Sequence, residues 1–85
     1  MINYTIKDHR PGRIKVHIPI IKRLSLKELY SLADMDIPSG IKDITPNPLT
    51  GNVIITYDPS LIDIEGFISS LASDERILRL VRDKF

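Results

Sequence analysis

The sequence predicts an α+β domain of βαββαβ order. Its four-stranded antiparallel sheet is covered on one face by two helices and preceded by an N-terminal extra strand or arm. Three observations carry this expectation. Apolar and polar residues alternate from Arg13 to Ile18, and Asn52 to Tyr57 is the clearest strand in the chain. Two helical stripes, Leu26/Leu29/Tyr30/Leu32/Ala33 and Ile64/Phe67/Ile68/Leu71/Ala72, each follow an N-cap residue. The same landmarks also recur: His17-Ile18-Pro19 matches Tyr57-Asp58-Pro59 forty residues later, and the helix starts at Ser25 and Asp63 lie thirty-eight apart. A strand–helix–strand unit thus occurs twice.

Length and composition bound the rest. Eighty-five residues allow one domain, divided here into a hairpin or arm over residues 1–12 and a core over 13–81. Hydrophobic residues at 42% and charged residues at 27% are ordinary for a globular chain and argue against disorder. Twelve basic against eleven acidic side chains leave a formal charge of +1, so no bulk field draws nucleic acid or anionic lipid. The absence of cysteine removes disulfides, thiolate metal sites and a cysteine nucleophile together. Apolar runs reach four or five residues where a membrane span needs about twenty, so the expectation is a soluble, cytoplasmic protein without a membrane span.

Taken in order, Ile2, Tyr4 and Ile6 alternate with polar residues until Asp8-His9-Arg10-Pro11-Gly12, whose Pro-Gly suits the centre of a turn. A plain hairpin there would set Val16 against Lys7; an odd loop or a bulge that pairs Val16 with Ile6 or Asp8 repairs the mismatch, so the expectation is a hairpin with an irregular tip or an arm unpaired there. Pro19 ends the following strand. Ser25 and Glu28 form a capping box for the first helix. Ile41–Thr45 reads as a short strand kinked before Pro46, and Asn47–Gly51 is dense turn chemistry. Asp63 caps the second helix, inside which Gly66 costs ~1 kcal/mol relative to Ala. The tail reads two ways. Local propensity over Ile77, Leu78, Val81 and Phe85 favours a helix, while the thirty-six-residue offset from Ile41–Thr45 favours a strand at Ile77–Val81. The fold expectation takes the strand.

Two blocks resemble a known family: His9-Arg10-Pro11-Gly12-Arg13-Ile14-Lys15-Val16, and Asn47-Pro48-Leu49-Thr50-Gly51 running into Val53-Ile54-Ile55-Thr56-Tyr57-Asp58-Pro59. They are similar to a branch of the heavy-metal-associated domain superfamily, whose members occur alone and in the N-terminal regions of metal-transporting P-type ATPases. The similarity covers roughly residues 9 to 72 and implies a ferredoxin-like fold. It implies no copper site. The family's C-x-x-C loop before the first helix is here Pro19-Ile20-Ile21-Lys22-Arg23-Leu24-Ser25, without a soft ligand and with two cations.

His9 and His17 sit about four residues out of register across the hairpin, on the order of 13 Å, too far to share a metal. Either one as a zinc, nickel or haem ligand is the first alternative, and no cofactor is expected. Lys22 and Arg23 precede a helix N-terminus, and Arg13 and Lys15 point outward from a strand. These four form the expected electrostatic contact surface. An RNA-binding sheet face, the second alternative, needs aromatic platforms, and Tyr4 and Tyr57 are its only candidates. No nucleophile–base arrangement or phosphate loop is present, so the chain reads as non-catalytic. The expectation is a binding or adaptor module. Its partner would be a metal-transporting P-type ATPase, another metal-handling protein, or a second copy of itself.

Overall fold

The computed structural model describes residues 2–33 and 37–82, the side chains of residues 26, 30, 32 and 33 excepted. The expected contributions of Leu26, Tyr30, Leu32, Ala33 and Phe85 to the core therefore lie outside the described residues. Four strands are formed: β1 (Thr5–Arg10), β2 (Arg13–His17), β3 (Ile41–Asn47) and β4 (Asn52–Tyr57). Three α-helices accompany them: α1 (Leu26–Ala33), α2 (Ile64–Ala72) and α3 (Glu75–Val81). A 3-10 helix at Pro19–Arg23 joins β2 to α1.

The expected four-stranded antiparallel sheet is present, but its membership differs. Strand order is β1-β2-β4-β3, with every neighbouring pair antiparallel. The N-terminal segment is thus neither an arm nor an extra strand: it is the fourth strand, hydrogen-bonded along the edge of β2. Residues 77–81, expected as that fourth strand, are helical instead. Two causes act together. The edge beside β2 is already occupied by β1. Asp74 caps α3 by accepting from the Arg76 amide at 2.8 Å, which sets Ile77 and Val81 one turn apart on the buried face.

The β1–β2 hairpin carries the bulge that its apolar pattern requires. Ile6 pairs with Val16, Asp8 with Lys15 and His9 with Ile14, so the register shifts at Lys7. The turn itself closes regularly from Arg10 to Arg13, with Gly12 at φ +86° supplying the left-handed backbone that a residue with a Cβ resists. A second bulge falls at Lys42, between Ile41 opposite Tyr57 and Asp43 opposite Thr56. Pro46 sits in β3, which is tolerated because β3 is an edge strand.

One face of the sheet holds the core. Ile14 and Val16 of β2, Val53, Ile55 and Tyr57 of β4, Leu29 of α1, Ile64, Ile68 and Ala72 of α2, and Ile77 and Val81 of α3 form one buried cluster. Ile14 and Val16 are wholly inaccessible, and burying side chains of this size contributes about 1.5–3 kcal/mol each. Ile20 and Ile21 turn inward from the 3-10 helix, leaving Lys22 and Arg23 outside. Ile2 is also buried, and its amide donates to the Ala72 carbonyl at 2.9 Å, tying the chain start to the end of α2. The capping box at α1 forms as expected: the Ser25 amide donates to Glu28 Oε1 at 3.0 Å and the Glu28 amide to Ser25 Oγ at 3.2 Å. Asp63 accepts from the Gly66 amide at the start of α2.

Candidate interaction surface

Among the described residues, no helix packs on the other face of the sheet. Strand periodicity and the two bulges together determine what it shows. Across the strands in the order β1, β2, β4, β3, one row is Thr5, His17, Asn52, Asn47. The next is Asp8, Lys15, Ile54, Thr45, and the last is Arg10, Arg13, Thr56, Asp43. The face is polar, with Ile54 its one aliphatic side chain. Its cations are grouped on the β1–β2 half.

Asp8 lies between two of them, with its carboxylate 3.4 Å from Arg10 and 3.6 Å from Arg13. These pairs are exposed, so each is worth little on its own, ~0–1 kcal/mol. Lys15 forms no ion pair among the described residues. On the β3 side, the Asp43 carboxylate accepts from the Thr45 hydroxyl at 2.8 Å, which holds it on this same face.

The four expected contact residues fall into two groups. Arg13 and Lys15 share the open face, one pleat apart on β2. Lys22 and Arg23 are exposed on the 3-10 helix, beyond the opposite end of β2 from Arg13. Lys22 is tied to that end through Gly51. A Cβ there would lie 3.2 Å from both the Lys22 side chain and the His17 ring, and Gly51 takes φ +79°. An anion at the α1 N-terminus is disfavoured by the Glu28 carboxylate, which already occupies that position.

The two histidines do not converge. His17 is on the open face with its Nδ1 3.0 Å from Asn52 Oδ1. His9 is carried by the Lys7 bulge to the core side, opposite Ile14. There its Nε2 is 2.6 Å from the Tyr57 hydroxyl and its Nδ1 is 3.5 Å from a Glu65 carboxylate oxygen. The Tyr57 hydroxyl lies 3.4 Å from the Arg10 carbonyl. With Nδ1 donating to Glu65, Nε2 accepts from Tyr57; with Nε2 donating to Tyr57, the phenol donates to Arg10. Either way the array clasps β1 to β4 and α2 beside an open cleft of about 430 Å³. His9 stays solvent-exposed there. The bulge decides which face it lies on, because one inserted residue reverses the parity of everything after it.

Among the described residues, no group of three or more His, Asp or Glu side chains is arranged to hold a metal ion. Among the described residues, no Tyr or Phe ring lies on the open sheet face: Tyr4, Tyr57 and Phe67 all pack into the core, and His17 is the one ring there. Tyr4 and Tyr57, the two rings on which the RNA alternative rested, therefore lie off that face. No described helix is long and apolar enough to cross a membrane. Comparison with protein-family models, with curated proteins and with solved structures finds no match.

Proposed function

We propose that the chain is a non-catalytic binding module that acts by protein–protein contact in a cytoplasmic setting. Its topology is read as a ferredoxin-like sheet in which the N-terminal strand stands where the last strand would be. The resemblance at residues 9–16 and 47–59 supports a heavy-metal-associated type without the cysteine site. The partner is then an acidic surface on a metal-handling protein, with a metal-transporting P-type ATPase as the leading candidate. The observation that carries the reading is the exposed basic surface itself. Arg13 and Lys15 stand on an uncovered sheet face, and Lys22 and Arg23 on the loop next to its end. Such a surface steers an acidic partner and fixes its orientation more than it adds raw affinity.

The test is capture from the source cells followed by chemical cross-linking of the purified complex. Cross-links from Lys15 and Lys22 to an acidic segment of the partner are expected. Capture should fall about tenfold or more in Lys22→Glu/Arg23→Glu and in Arg13→Glu/Lys15→Glu, with unchanged circular dichroism. Capture indifferent to both reversals overturns the reading. So do stoichiometric zinc, copper or haem adducts in native mass spectra that vanish in His9→Ala/His17→Ala.

A further inference from the structure

We propose that the open sheet face is also the contact surface for a second copy of this chain, packed face to face about a two-fold axis parallel to the strands. The inference rests on reading that face as a contact surface, and it names an occupant for it.

Register supplies the argument. An axis running between β2 and β4 in the plane of contact places β1 of one copy over β3 of the other, and β2 over β4. Each row then meets itself reversed. In the last row, Arg10, Arg13, Thr56, Asp43 lies against Asp43, Thr56, Arg13, Arg10. Arg10 of each copy therefore meets Asp43 of the other, and the pair forms twice because a two-fold interface is self-complementary. In the middle row the aliphatic stem of Lys15 lies over Ile54, covering the one apolar side chain that the face leaves in water. Aligned sheet packing brings the two faces to ~10 Å, a gap that arginine and lysine side chains span.

The edges of the sheet point to the same geometry by exclusion. Both edge strands, β1 and β3, carry a bulge, and the extra residue is a lysine in each: Lys7 and Lys42. Bulges and lysines are the devices that prevent strand-to-strand extension of a sheet. Self-association is thus turned away from the edges and toward the open face.

The contact is small. Four strands ~4.8 Å apart and about five residues long at ~3.3 Å each give a face of roughly 300–350 Å². Stable complexes bury about 800 Å² per partner, so the dimer is a weak one that forms at high concentration and comes apart in salt.

Sedimentation velocity of the full chain tests this, run from about 10 μM to about 1 mM at low salt and again at about 0.5 M. The weight-average sedimentation coefficient should climb toward the dimer value with concentration and return to the monomer value in salt. Asp43→Arg sets cation against cation and should weaken association at least tenfold. Adding Arg10→Asp to it restores opposite charges and should restore association, with circular dichroism confirming that both variants fold. A monomer at every concentration overturns the inference, as does a dimer indifferent to Asp43→Arg or not rescued by the swap. A chain that stays monomeric yet still captures an acidic partner through Arg13 and Lys15 gives that face to the other partner. That result sinks the dimer and leaves the contact-module reading standing.

Discussion

Gly66 shows how a single position can contradict its propensity for a local reason. In the interior of α2 a glycine should cost ~1 kcal/mol against alanine. Yet a Cβ at this position would meet Asp63 Oδ2 at 2.7 Å, because the capping carboxylate folds over the first turn to accept from the Gly66 amide. The cap is worth about the same ~1 kcal/mol. Gly66→Ala should therefore leave the urea midpoint unchanged or lower it, where an ordinary helical site would gain. A midpoint raised by the full propensity difference would show that the carboxylate moves aside at no cost. Two other carboxylates set the response to acid. Hydrogen bonds from the Ser60 hydroxyl and amide hold Asp58 below its ordinary value of 3.8, with Lys42 adding to them. The Arg76 guanidinium and amide do the same for Asp74. Because the folded values lie below the unfolded ones, this stabilisation is fully present above about pH 4 and is lost as pH falls through the lowered values. Unfolding free energy should drop below about pH 4, and Asp74→Asn should show a shallower drop. An identical acid profile in the variant would remove Asp74 from the account. Both groups are at the surface, so the effect is modest.

At the scale of elements, most of the fold was legible because its determinants are local. The capping box at Ser25 and Glu28, the Asp63 cap, the Pro-Gly turn and the strand at 52–57 each depend on neighbours within a few residues, and each forms. The irregularity of the first hairpin was legible as well, as an odd loop or a bulge that reconciles Val16 with Ile6; the structure places it as a bulge at Lys7 and leaves the tip regular. Its consequence was not drawn from the alternation alone. The parity of Ile2, Tyr4 and Ile6 puts Asp8 on the core face and His9 on the open one, and the bulge at Lys7 exchanges their faces, with His9 still exposed. That exchange puts Asp8 and Arg10 on the open face beside Arg13 and sends His9 to Tyr57. The tail failed for a non-local reason. Ile77–Val81 has the composition of a strand and the capping of a helix, and which one forms depends on whether the edge of β2 is free. β1 had taken it. The places of Arg13 and Lys15 on the open face were legible from strand parity, and the exposure of Lys22 and Arg23 from their position before a helix. Asp43, which completes the charge pattern of the face, became a member only through the register of β3 against β4.

At the scale of the molecule, the N-terminal strand decides whether this is one cooperative unit or a core with an appendage. A core over residues 13–81 would fold without the first twelve residues. The structure argues otherwise on three counts. The edge of β2 is hydrogen-bonded to β1 along its length. Ile2 is buried in the main cluster, with Tyr4 and Ile6 packed against it. Tyr57, almost wholly buried on β4, directs its hydroxyl to His9 and Arg10 of β1. Burial of Ile2 and partial burial of Tyr4 and Ile6 contribute on the order of 1.5–3 kcal/mol each at most. That sum, with the β1–β2 ladder, approaches the entire 5–15 kcal/mol that holds a small domain folded. A chain lacking residues 1–10 should therefore lose its cooperative thermal transition and its dispersed amide spectrum. It would also expose the edge of β2, a strand without the bulge that interrupts β1 and β3, so aggregation should accompany the loss of structure. A truncated chain that melts cooperatively as a monomer would show that the first strand is an arm after all. It would also free the edge of β2 for a strand from elsewhere. The converse outcome makes the hairpin part of the scaffold on which Arg10, Arg13 and Lys15 are displayed. The contact face and the fold would then be lost together, as expected of a surface whose charged half is built by the strand that closes the sheet.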